Sequence, residues 1–393
     1  MKKHTIASHN IAILFWVEFF STISFLQPVM TLFYMERGLS EANIFLVLMC
    51  WSGAVMLGEV PAGVFADRYG AKYSFLLGSF IKMSSYSLLF FAQEPWQFFL
   101  YSALNGFSVT FFSGADEALI YESLKESNEQ DRMDEAMGKI QSAGFISMIV
   151  AVLFGAYFAQ DLKESQFQLL IGLGLFFYVI EWILLLFVKN PANFTVSKEN
   201  PFSQVAAGLK VIRKQPQLLL MFLNLTLVFI PAAAVYDYFN QPLFIHAGLP
   251  VMFIGILYAI AAIIGYFSSH SVGWMTKRFS RVLLMNMTGW LAVIGLLISA
   301  IFGEALWMII GAFFVLRFVR AVRYPIYSQL SNDRIPSEVR ATTISLLSIL
   351  DSVFDLIVFG TLSIIASKGI IFIFIVCAIV ATIGTLIPIK GKE

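Results

Sequence analysis

Three arginines recur at one spacing in a stretch that is otherwise apolar: Arg317, Arg320 and Arg323, with Tyr324 and Tyr327 close behind. At about 100° per residue these five fall within about 120° of one helical face. A guanidinium stays charged, is planar, and grips carboxylate or phosphate through two parallel bonds. Three of them on one face of an apolar helix do not face hydrocarbon. They call for acids, water or an anionic ligand. Acids stand in other apolar stretches. Asp116 shares about 80° of a helical face with Ser102, Asn105 and Ser113, and Glu117 lies beside it. Glu18 stands near Ser21 and Thr22; Asp237, Asn240 and Gln241 share a face ahead of Pro242; Asp351 and Asp355 are spaced i, i+4 around Ser348.

A carboxyl group in an apolar setting exchanges protons, so Asp116 and Glu117 are the first candidates for proton coupling. Glu18, Asp237, Asp351 and Asp355 are alternates. The candidates for solute binding are Arg317, Arg320, Arg323, Tyr324, Tyr327, Asn105, Ser113 and Gln241, with Arg320 and Arg323 expected to hold a negative group. A structural alternative applies to each of these residues, because buried acids and bases also pair to lock helices together. Glu59 reads as a member of such a network, with Pro61 kinking its helix. Lys82 is expected to snorkel or to pair with Glu59. Glu122, nearer the inner surface, is expected to pair near Arg68 or Arg340.

These residues sit in a chain of 393 residues, of which 59% are hydrophobic and 13% charged, where a soluble domain carries about 25% charged residues. The composition is that of an all-α, polytopic membrane protein. Its apolar runs far exceed the ~10 residues of a barrel strand. Two Cys, scattered histidines (His4, His246 and His270 among them) and no C-x-x-C or H-E-x-x-H spacing leave no metal or enzyme constellation. No cofactor and no nucleic-acid partner are expected.

Twelve apolar spans fall at about 11–35, 41–66, 73–94, 96–124, 135–160, 166–188, 217–245, 251–276, 280–302, 305–332, 338–366 and 369–389. With the N-terminus inside, nineteen Lys and Arg lie in inner segments and three, Arg37, Lys163 and Lys368, in outer ones. That asymmetry predicts both termini in the cytoplasm. The expected organisation is a six-helix bundle over 1–188, a linker over 189–216 and a second bundle over 217–393. In the linker Phe202, Val205, Leu209 and Ile212 recur at helical spacing beside Lys210, Arg213 and Lys214, which predicts an amphipathic helix on the inner leaflet.

Between spans 2 and 3 lies Gly63-Val64-Phe65-Ala66-Asp67-Arg68-Tyr69-Gly70-Ala71-Lys72, a tight charged turn in which Gly70 permits positive φ. Gly273 to Arg281 repeats it after span 8 in degraded form, with Lys277 in place of Asp67 and Ser280 in place of Gly70. The pattern G-x-x-x-D-R-x-G-x-K resembles the loop signature of the major facilitator superfamily. The resemblance implies twelve transmembrane helices in two pseudo-symmetric six-helix bundles, and alternating access to a site near the bilayer midplane between them, lined by spans 1, 4, 7 and 10. By match, Asp67 would hold inner helix ends together, Gly63 would permit close packing against span 11, and Arg68 and Lys72 would brace neighbouring ends; Gly70, Glu122 and Arg340 complete this conformational set. The likeness is greatest to bacterial drug/proton antiporters, but span 5 has Gly144 and Gly155-Ala156 without the proline of the antiporter pattern.

The expected function is secondary active transport of a small polar or amphiphilic organic solute bearing a negative group across a bacterial cytoplasmic membrane. Proton coupling, export and a monomer among membrane lipids are expected. Uptake or facilitated passage of an organic anion, and export of a lipid or lysolipid, remain open. A non-transporting receptor is the remotest alternative.

Overall fold

The computed structural model describes residues 5–191, 213, 215–335 and 340–390. In hydrocarbon every backbone polar group must find its partner within the segment, and the apolar runs accordingly become helices. Twelve helical passages follow one another among the described residues, numbered here as spans 1–12: Ile6–Glu36, Glu41–Tyr69, Ala71–Leu88, Pro95–Thr110 continued by Ala115–Glu126, Met133–Phe158, Glu164–Leu186, Pro216–His246, Val251–Arg278, Arg281–Ile301, Leu306–Asn332, Arg340–Ile365 and Ile370–Leu386. Eight of them are long and apolar enough, by length and composition, to cross a membrane. Span 12 is apolar but has only 17 residues. Span 4 is cut in two, and span 10 carries the three arginines.

The chain forms two compact units, one of Met1–Leu39 and Leu46–Lys198 and one of Ser40–Phe45 and Glu199–Glu393. The amphipathic helix expected around 202–214 lies, apart from Arg213, outside the described residues.

Three spans depart from the straight helices expected. Span 1 stops at Thr22, passes through an extended Ile23 and a 3₁₀ turn at Gln27–Val29, and resumes as Met30–Glu36. Pro28 is the second residue of that turn, and Gly155 of span 5 lies so close that a Cβ there would run into the Phe25 carbonyl. Span 4 breaks at Phe111–Gly114, where Gly114 takes φ +71°. That turn resets the helical phase, so Ser113 and Asp116 do not continue the face of Ser102 and Asn105 as a continuous helix would require. Span 7 contains a π-helical turn, Ile230–Val235, holding Pro231. Turns of this kind concentrate at functional sites.

At the loop between spans 2 and 3 Gly70 has φ +89°. Lys72 caps span 6: its Nζ donates to the Leu186 carbonyl at 2.6 Å and its backbone N–H to Asn190 Oδ1 at 3.3 Å. Asp67 and Arg68 are exposed, and the Arg68 guanidinium lies 5.5 Å from the Tyr69 ring centroid. Among the described residues a Cβ built on Gly63 meets no atom within 4 Å. Glu122 bridges to Lys125 one turn on, at 3.5 Å, instead of to Arg68. Here the local i, i+3 spacing supplies a nearer cation than the loop does. Arg340 begins span 11, and its side chain is outside the description.

Candidate functional site

In the second unit, Asp237 stands in the first turn after the π-helical segment of span 7. Each of its carboxylate oxygens takes one arginine from span 10: Oδ1 faces Arg317 Nη2 at 2.8 Å and Oδ2 faces Arg320 Nη1 at 2.6 Å. Arg317 is enclosed, its guanidinium 5.0 Å from the Tyr258 ring centroid and 4.9 Å from that of Phe313. Arg320 reaches 5.9 Å from the Phe229 centroid and its side chain is 48% exposed. Two cations on one carboxylate leave a formal charge of +1, and the more accessible arginine carries it outward. Gln241, expected to face a solute, and Asn240 beside it are buried behind this group. Tyr258 donates its hydroxyl to Asn240 Oδ1 at 2.8 Å and lies 3.5 Å from Gln241 Nε2. They hold the tyrosine on which Arg317 rests.

Arg323 departs from the other two arginines. Its side chain is wholly buried, with Nη1 donating to the Met285 carbonyl and, at 3.1 Å, to Thr288 Oγ1. Nη2 donates to the Asn224 carbonyl at 2.7 Å and to Asn224 Oδ1 at 2.5 Å. It ties span 10 to spans 7 and 9 and faces no solute space. The reason is angular: an arc of about 120° is wide enough to begin on one neighbour and end on another. Tyr324 is exposed, its ring 6.2 Å from that of Phe229, whereas Tyr327 is buried.

Further along the same unit, Phe222 and Leu225 of span 7, Tyr324 and Tyr327 of span 10, and Ser348 and Asp351 of span 11 line a cavity of about 160 Å³. Thr226 Oγ1 donates to Asp351 Oδ1 at 2.7 Å. Asp355, one turn on, is half-buried.

The first unit has its own charged cluster. Lys82 of span 3 meets Glu181 of span 6 at 2.6 Å, and Glu181 is fully buried. Glu59, the partner expected for Lys82, has Ser113 within hydrogen-bonding reach instead. The Lys82 ammonium lies 4.5 Å from the Tyr178 ring centroid and 3.4 Å from the Ser21 carbonyl, one turn from Glu18 on span 1. Glu18 is within electrostatic reach of Lys82, Asp116 and Glu181, and its Oε1 would lie 2.8 Å from a Cβ placed on Gly144. Asp116 opens the second half of span 4, where its Oδ1 accepts the Glu117 N–H at 2.8 Å; a helix N-terminus favours a carboxylate. Glu117 and Ser113 are exposed, and Asn105 donates to the Tyr101 hydroxyl at 3.2 Å within its own helix. Glu18 and Asp116 thus share one cluster, to which span 3 contributes Lys82 and span 6 Glu181.

The sequence matches the Major Facilitator Superfamily over residues 11–357. It is 26% identical over 221 residues to the multidrug resistance protein MdtH of Yersinia pestis (strain Pestoides F), an alignment covering 56% of this chain and 51% of that protein. MdtH of Yersinia pseudotuberculosis (serotype O:3, strain YPIII) matches to the same extent. The chain therefore spans about half the length of the curated relatives it matches. Among solved structures, nucleoside transporter NupG superposes with a TM-score of 0.76 at 14% identity over 98% of both chains. A D-xylose-proton symporter does so with a TM-score of 0.72, also at 14% identity over 98% of both chains. At such identities the likeness is one of fold.

Proposed function

The chain belongs to the Major Facilitator Superfamily, a family of membrane transporters and not of enzymes, and from that premise we propose that it exports a small organic solute bearing a negative group, in exchange for protons. The observation that carries this reading is the uneven bridge at Asp237, where two arginines share one carboxylate and the half-exposed Arg320 is the more accessible of the two. A carboxylate or phosphate on the solute completes the pairing through the planar fork. Arg317 and Arg320 form the anion site. Arg323 leaves the set, since its side chain is wholly buried and both Nη groups donate to protein oxygens. Glu18 and Asp116 are the proton-linked acids of this reading, supported by the surplus of carboxylates around Lys82. Export is favoured by the likeness to proteins named for multidrug resistance. The protein sits as a monomer in a bacterial cytoplasmic membrane, with both termini inside, and works by alternating access.

The test is flux in proteoliposomes with a trapped pH dye and a panel of organic anions. Transport of at least one anion, with a dye response, is expected from the wild type, and no transport from Arg320→Ala although it still folds. Survival of transport in both Arg317→Ala and Arg320→Ala overturns the anion site. Transport without a dye response removes the protons from the mechanism.

A further inference from the structure

The cavity between spans 7, 10 and 11 lies along span 10 from the arginine pair. Tyr324, Tyr327 and Phe222 are among the residues that line it. Its polar groups include Ser348 and Asp351. Asp351 accepts one hydrogen bond, from Thr226, on one oxygen. Among the described residues no lysine or arginine lies within 4 Å of this carboxylate, whereas Asp237 holds two. A carboxylate at membrane depth beside aromatic faces, with no cation of its own, offers an organic cation both its charge and the negative faces of the rings.

We propose that this cavity seats an ammonium group of the transported solute, so that the solute is amphoteric, with its amine on Asp351 and its acid on Arg317 and Arg320. The inference rests on the anion site proposed above and extends it. Seven residues of helix separate Arg320 from Tyr327, about 10 Å at 1.5 Å per residue. A solute that reaches from Arg320 to the cavity at Tyr327 carries its two charges about that far apart. A free α-amino acid, whose charges sit on adjacent carbons, is too short to engage both. An extended chain of three residues spans about 10 Å. A volume of about 160 Å³ accepts the amine together with a ring beside the aromatic lining.

A tripeptide with an aromatic first residue, phenylalanyl-glycyl-glycine, therefore serves as the probe, alongside its N-acetyl and C-terminal amide derivatives. Binding to the purified full-length protein in nanodiscs is measured by calorimetry, for the wild type, Asp351→Asn and Arg320→Gln. Asparagine keeps an acceptor for Thr226, and a thermal melt confirms that each variant is folded. N-acetylation should weaken binding to the wild type about tenfold and leave binding to Asp351→Asn unchanged. Amidation should do the same for the wild type and Arg320→Gln. Equal binding of the free and acetylated peptides to the wild type overturns the cavity assignment even if amidation still weakens binding, in which case the anion site stands alone. The opposite pattern removes the anion site and leaves the cavity. Binding of none of the three peptides overturns the amphoteric solute.

Discussion

In the first unit a single lysine, Lys82, faces Glu181 at 2.6 Å and Glu18 at longer range, with Asp116 within reach of Glu18; in the second, a single carboxylate, Asp237, faces two arginines at 2.8 and 2.6 Å. The surplus is acidic in one and basic in the other, and the side-chain types suit the surplus. Lysine is a compact charge on a flexible stem that can exchange partners, whereas arginine stays charged and holds a fixed fork. Carboxylates in excess of their cation hold exchangeable protons. Arginines in excess of their carboxylate wait for an anion. Burial sharpens the contrast: Glu181 is sealed, while Arg320 is half open.

Breaking the sealed pair has the largest expected effect. Lys82→Met leaves Glu181 buried without its cation and should cost about 3–5 kcal/mol, read as a fall in the thermal unfolding temperature in micelles. Lys82→Met combined with Glu181→Leu should recover most of that loss, because an apolar pair removes both desolvation penalties. A double variant as unstable as the single one would show that the two residues do not act as a pair.

Next in size is the contrast within span 10. Arg323→Ala strands the Asn224 amide and two carbonyls and should cost about 3 kcal/mol of stability. Arg320→Ala should leave the melt within about 0.5 kcal/mol and weaken solute binding about tenfold. Equal melts for the two variants would sink the distinction between a helix tie and a ligand-binding arginine. Smaller again is Glu18→Gln, which keeps the shape of the side chain and its place against Gly144. Proton-driven accumulation should fall about tenfold while exchange of solute at equal pH persists, a loss of about 1.4 kcal/mol of driving free energy. Unchanged accumulation assigns the proton elsewhere.

How far these groups were legible in the sequence differs residue by residue. The twelve spans and the loop with Gly70 follow from hydropathy, charge and one backbone requirement, all of which are local. Asp237 and the arginines were also visible as charges in apolar helices. Their partners were not: Arg320 and Asp237 lie 83 positions apart, and only packing decides that Arg323 turns to Asn224 while Arg320 does not. Lys82 was expected to snorkel or to meet Glu59, and its pairing with Glu181 was not visible, since no periodicity links span 3 to span 6. The breaks in spans 1 and 7 left proline signals at Pro28 and Pro231 that an apolar run masks, because membrane helices tolerate proline. The cavity beside Asp351 has no sequence signature at all, being the space between three helices.

Gly114 offers the mildest test of the contrast between the units, because it sets the direction in which Asp116 leaves span 4. Its φ of +71° disfavours any residue with a Cβ, but a Cβ there would meet nothing within 4 Å. Only the backbone term changes in Gly114→Ala, which should cost about 1–2 kcal/mol. Gly114→Asn should cost less, since asparagine enters the left-handed region more readily. If the turn positions Asp116 beside Glu18 and Lys82, both substitutions should lower proton-coupled flux in the same order as stability. If Gly114→Ala melts like the wild type, span 4 can run straight through this point. Ser113 and Asp116 would then rejoin the face of Ser102 and Asn105, and the acid cluster of the first unit would lose one of its members.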